Sequence, residues 1–122
     1  MVEAAGAGGI IVDAIHLHRS GGTPQDVAAL PPGMLAYFQI CDAPAKIPDT
    51  EEELIFQARR ARLPPGQGGL DLQGMLRALP PGTAISIETP LHGLPDLPAP
   101  VPRARMLRQA TLQVVEQAHA SR

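Results

Sequence analysis

The chain has 122 residues, 44% of them hydrophobic, with a formal net charge of −2 and a single cysteine, Cys41. That length holds one domain or part of one, with enough apolar residues for a core. Only Tyr37, Phe38 and Phe56 are aromatic, and there is no basic patch, which excludes a base-stacking or phosphate-tracking surface and makes nucleic acid an unexpected partner.

No apolar run approaches the ~18 residues of a membrane span. The start "MVEAAGAGG" lacks the basic segment of a secretion signal. One cysteine forms no internal disulfide, so a cytoplasmic chain with no membrane partner is expected. The 14 prolines and 12 glycines cluster between apolar segments rather than running through them. They therefore read as punctuation between ordered elements, not as disorder.

The start of the chain reads as the tail of a preceding helix. Ile10–Asp13 follows as a short, β-branched strand after Gly8–Gly9, ending on a carboxylate with His16 three places on and then a polar, glycine-rich turn. "TPQDVAAL", from Thr23, has Thr at an N-cap and Pro at the first helical position. "PPG" at 31–33 stops it, and "MLAYFQIC" (Met34–Cys41) has the length and apolarity of a second strand. A long excursion contains the helix Asp49–Leu63, with acids early and arginines late, as the helix dipole favours. After the loop "PPGQGG", Leu72, Met75, Leu76 and Leu79 share one face of a helix over 70–79, with Asp71 as its cap. "AISIE" (84–88) is a third strand, "TPLHGLPDLPAPVP" a loop, and Arg103 to about Ala120 a final helix.

Strands thus alternate with helices and look buried on both faces, the pattern of a parallel sheet covered by helices. Each strand closes on polar residues: Asp13 after the first, Gln39 and Cys41–Asp42 in and after the second, Glu88 after the third. In parallel α/β folds ligands sit at the carboxyl ends of the strands. Two carboxylates and an amide converging there make an oxygen-donor set for a divalent cation.

"VDAIHLHRSGGTP", "FQICDAP", "RLPPGQGGLDL" and "ISIETP" together resemble the carboxyl-terminal half of the sugar phosphate isomerase/epimerase family, whose members have the xylose isomerase-like TIM-barrel fold. The resemblance runs from about Gly9 to Val115, and residues 1–122 are expected to form one piece of that domain. A complete barrel needs about 250 residues, so the fold expected is α/β, a partial (β/α)8 barrel of about three βα units with parallel strands.

The resemblance implies a metal-dependent enzyme that removes a proton next to a carbonyl of a small sugar-like substrate through an enediolate. It places Asp13, Gln39 and Glu88 as metal ligands, Glu88 and His16 as catalytic residues, and His16 and Arg62 as substrate contacts. Gln39 stands where the family has a histidine; a neutral, hard oxygen there favours Mn²⁺ or Mg²⁺ over Zn²⁺. The family's first metal-binding glutamate belongs to a strand upstream of Met1, and Glu3 is no substitute for it. Two other outcomes stay open: a dehydratase or lyase of the same superfamily, and a non-catalytic half-barrel remnant or assembly module. Three strands leave two unpaired edges, so self-association or pairing with an amino-terminal half is expected.

Overall fold

The computed structural model describes residues 9–91, 93 and 96–120. Residues 1–8, where the helix tail is expected, and His92, Leu94 and Pro95 of the long loop lie outside the described residues. Strand β1 is Ile10–Asp13, followed by helices α1 (Ala14–Arg19) and α2 (Pro24–Ala28); β2 is Leu35–Ile40. Helices α3 (Glu51–Arg60) and α4 (Leu72–Ala78) precede β3 (Ile85–Ile87), and α5 (Pro100–Ala120) closes the chain.

Local chemistry explains most of these boundaries. Thr23 and Asp26 form a reciprocal capping box before Pro24 at the start of α2. Thr50 Oγ1 accepts the Glu53 N–H at 3.2 Å, and Asp71 Oδ1 accepts the Gly74 N–H at 2.9 Å, which caps α3 and α4. Two expectations need correction. α5 starts at Pro100 rather than Arg103, because Pro100 and Pro102 occupy the first turn, where the missing N–H groups have no intrahelical partner to lose. The segment after Asp13, read as a turn, is the six-residue helix α1, with Asp13 as its N-cap.

The three strands form one parallel sheet in the order β1-β2-β3. Asp13 pairs with Gln39 and Gln39 with Ser86; one residue earlier, Val12 pairs with Phe38 and Phe38 with Ile85. Paired residues of parallel strands project to the same side of the sheet. Val12, Phe38 and Ile40 therefore face the core, which they share with Val27 of α2, Leu72 and Met75 of α4, and Val114 and Ala118 of α5.

The opposite face carries Ile11, which is 48% exposed, with half-buried Tyr37, Gln39 and Ser86. The expectation that the strands are buried on both faces is thus wrong for this chain: α2, α4 and α5 cover one face only. Together these elements make a partial α/β fold with all polar strand ends on one rim.

Candidate active site

The rim is assembled by one buried ion pair. Asp13 ends β1 with both oxygens employed. Its Oδ1 accepts the N–H groups of Ile15 at 3.1 Å and His16 at 3.4 Å, which starts α1. Its Oδ2 accepts Arg62 Nη1 at 2.8 Å. Arg62 leaves α3 with Nε donating to Ala58 O at 2.7 Å, and Nη1 also reaches the Glu88 carbonyl at 3.1 Å and Cys41 Sγ at 3.7 Å.

One guanidinium thereby touches residues from the ends of all three strands. Asp13 is 8% and Arg62 6% exposed. Burial alone lowers the Arg62 pKa, but the hydrogen bond and charge of Asp13 and the neighbouring Cys41 outweigh it, and the net shift is upward. Burial is also what pushes the Cys41 thiol up to about 11, against the pull of Arg62. Cys41 is an inert thiol packed under the ion pair, not a nucleophile.

Asp13 and Gln39 are direct partners in the sheet, so their side chains share the open face. The Glu88 N–H continues the ladder by donating to Ile40 O at 3.0 Å, which puts Glu88 on the same face as Ser86 and one step nearer the rim. Glu88 is exposed. β3 ends at Ile87, so Glu88 is the residue directly after the strand.

His16 is also exposed. It stands between two cavities: one of about 520 Å³, shared with Asp13, Gln39 and apolar residues of β1 and α2, and one of about 570 Å³ between α1 and α3, shared with Arg62. Of the residues expected at a site, Asp13, Gln39 and His16 line one cavity and Arg62 contacts Asp13, while Glu88 reaches them through its backbone carbonyl on Arg62. Their roles differ, since Arg62 spends its bonds on protein atoms and orients Asp13.

No three His, Cys, Asp or Glu residues among the described residues form a metal cluster. The donors that share the open face are two carboxylates and one amide, all oxygen. Asp13 fits a cation in one respect: Oδ2 accepts only the Arg62 bond and keeps a second lone pair, and ligating carboxylates are commonly oriented by such partners. This donor set suits a hard divalent ion, with further ligands needed to complete its shell.

The loop "PPGQGG" is organised by a residue to which the sequence reading gave no role. Asp42, 1% exposed, accepts the N–H of Ala43 at 2.9 Å and Leu70 at 3.1 Å on Oδ1, and of Gly66 at 2.9 Å on Oδ2. Backbone bonds between Asp42 and Leu63 close the same loop onto β2. The Gly66 and Leu70 N–H groups are thus used internally, and the loop is a clamp rather than a phosphate cradle. The "CDAP" run following an apolar strand was the only sequence signal for it.

The sequence matches no family model. It is 38% identical over 68 residues to a 3-dehydroshikimate dehydratase from Pseudomonas aeruginosa, a stretch that is 56% of this chain and 10% of that protein. Among solved structures it resembles a xylose isomerase domain protein from Alicyclobacillus acidocaldarius, with a TM-score of 0.74 and 30% identity over 97% of this chain and 41% of that one. It also resembles the IolI protein determined with a zinc atom, with a TM-score of 0.72 and 22% identity over 90% of this chain and 38% of that one. A fusion of a xylose isomerase-like TIM barrel with a 4-hydroxyphenylpyruvate dioxygenase matches with a TM-score of 0.60 and 23% identity, over 89% of this chain and 18% of the fusion. The chain spans less than half the length of each of these proteins. Its fold is part of a xylose isomerase-like TIM barrel, in extent and strand order consistent with the carboxyl-terminal half.

Proposed function

We propose that this chain supplies the carboxyl-terminal half of a metal-dependent active site that removes a proton next to the carbonyl of a hydroxylated keto substrate. The observation that carries the reading is the pairing of Asp13 with Gln39 beside His16 in one cavity, with Glu88 directly after β3 in the same parallel sheet. A divalent ion bound there supplies Lewis acidity toward the carbonyl oxygen and neutralises charge that develops on it.

Asp13, Gln39 and Glu88 are the ligands this chain offers, and Arg62 holds Asp13 in place. The all-oxygen set favours Mn²⁺ or Mg²⁺, even though the IolI neighbour was determined with zinc. The exposed Glu88 carboxylate accepts the proton from the carbon next to the carbonyl. His16 hydrogen-bonds a substrate hydroxyl.

The 38% identity to a dehydratase favours elimination as the outcome. The C–H electron pair becomes the new double bond, the neighbouring C–OH bond breaks, and the hydroxide leaves as water with a proton from His16. A 3-dehydroshikimate-like acid is the first substrate to try. Isomerisation or epimerisation is the second reading, supported by the likeness to the xylose isomerase domain protein; there Glu88 returns the proton to carbon instead. The open sheet face and the two edge strands support a partner, either a second copy or an amino-terminal half that adds the remaining ligand.

The test is calorimetric titration of the chain with Mn²⁺, alone and with an amino-terminal half-barrel, followed by assay of 3-dehydroshikimate and of keto-sugars. Metal binding that is lost in Glu88→Ala, with consumption of 3-dehydroshikimate by the unaltered chain, is expected. No Mn²⁺ binding in either form overturns the reading. Turnover of keto-sugars alone moves the assignment to the isomerases.

A further inference from the structure

We infer that the cavity between α1 and α3 is an oxyanion-accepting subsite, walled by Arg19 and Arg59, for the anionic end of the substrate; it rests on the function proposed above only for what lies at the other end of that substrate. The cavity, about 570 Å³, is lined by His16, Arg19, Ser20, Ile55, Arg59 and Arg62 among others, and no Asp or Glu lines it among the described residues. Arg62 is neutralised by Asp13, at 2.8 Å. Arg19 is not neutralised in this way.

The Arg19 Nη1 meets His18 Nδ1 at 2.8 Å and its Nη2 donates to Gln57 Oε1 at 2.8 Å. The first contact requires a neutral imidazole with its lone pair on Nδ1, in keeping with a His18 pKa lowered by burial and then by the Arg19 charge. Arg19 Nε is buried without a hydrogen-bond partner. The carboxylate that follows along this chain of contacts, Glu53, is reached only through the Gln57 amide, at 3.4 Å.

A half-buried guanidinium held by two neutral acceptors, with a buried N–H unspent, is costly unless something anionic completes it. Its fork geometry suits a carboxylate or a phosphate, which share that chemistry. Position fits this use. His16 lines both this cavity and the one that holds Asp13 and Gln39, so a small molecule bound beside Asp13 and Gln39 extends past His16 toward Arg19.

The experiment is nitrogen-detected NMR of the arginine side chains in the full chain without metal, titrated with 3-dehydroshikimate and, separately, with inorganic phosphate. Saturable shifts of the Arg19 and Arg59 resonances are expected with at least one of the two anions; the anion that binds tighter tells whether the source is a carboxylate or a phosphate ester. Arg19→Gln and Arg59→Gln should each weaken that affinity about tenfold or more, the loss of one charge-assisted contact, whereas Arg108→Gln on α5 should not. Arg19→Lys, which keeps the charge and the fold but loses the fork, should retain part of the affinity. Saturable binding of neither anion, or affinity unchanged in both Arg59→Gln and Arg19→Lys, overturns the subsite. Anion binding without any turnover leaves the subsite standing and removes the proposed activity. Turnover with KM unchanged in both glutamine variants does the reverse.

Discussion

Two aspartates stand at the ends of neighbouring strands, and the fold uses them in opposite ways. Each carboxylate accepts three hydrogen bonds, two on Oδ1 and one on Oδ2, but the partners differ. Asp42 takes all three from backbone N–H groups and fastens the 64–69 loop to β2. Asp13 divides its bonds between a helix start and a charge. One oxygen caps α1, and the other accepts a single bond from Arg62 on the open face of the sheet. A carboxylate whose partners are all backbone amides holds a loop in shape, whereas one balanced by a buried guanidinium depends on a charge brought from another element. The difference lies in what surrounds each residue, not in the residue type.

The comparison is broken most severely at Asp42. Asp42→Ala leaves three N–H groups without acceptors in a buried site, so a loss of about 4 kcal/mol in urea denaturation is expected, a large share of what a domain of this size possesses. Gly68→Ala should damage the same clamp, because a Cβ there presses into the Ala43 carbonyl and the Asp42 carboxylate. A smaller loss is expected for Asp13→Asn, about 3 kcal/mol, because it strands the buried Arg62 charge. In the double variant with Arg62→Met much of that loss should return, and a double-mutant cycle measures the coupling. If the Asp42 variant proves the milder of the two, the contrast drawn here is wrong.

A pH series separates the rim from the clamp more finely. The Cys41 thiol lies under the Asp13–Arg62 pair, and burial raises it from 9.0 to about 11. A raised pKa favours the neutral thiol in the folded state. Its contribution is therefore complete below pH 9 and lost as the pH rises through 11, a loss of about 2–3 kcal/mol. Cys41→Ala should flatten that part of the profile. The smallest stability effect belongs to His16→Asn, an exposed change expected to stay within about 0.5 kcal/mol by denaturation while turnover falls.

What could be read along the chain follows a physical line. Strand β1, the capped starts of α2, α3 and α4, and the parallel alternation are set within four or five residues by capping side chains, prolines and apolar spacing. Those signals survive in the bare sequence. The positions of Asp13, Gln39 and Glu88 at strand ends, with His16 three residues past the first, were equally legible, because the strand end is itself a local feature.

The site's wiring was not. Asp13 and Arg62 are 49 residues apart, as are Thr89 and the Ile40 carbonyl it binds, and Asp42 reaches 28 residues to Leu70. Sequence reasoning gave Arg62 to a substrate and Asp42 no more than a place after a strand. No spacing rule separates a solvated arginine from one threaded under three strands.

By itself the sequence determined the alternation of strands and helices, the capped starts of three helices, and that polar groups close every strand. Only the tertiary structure decided which carboxylate is spent on the backbone, which is balanced by a guanidinium, and which face of the sheet stays open. Those outcomes depend on desolvation and on partners brought together by packing, and both exist only after the chain has closed on its core.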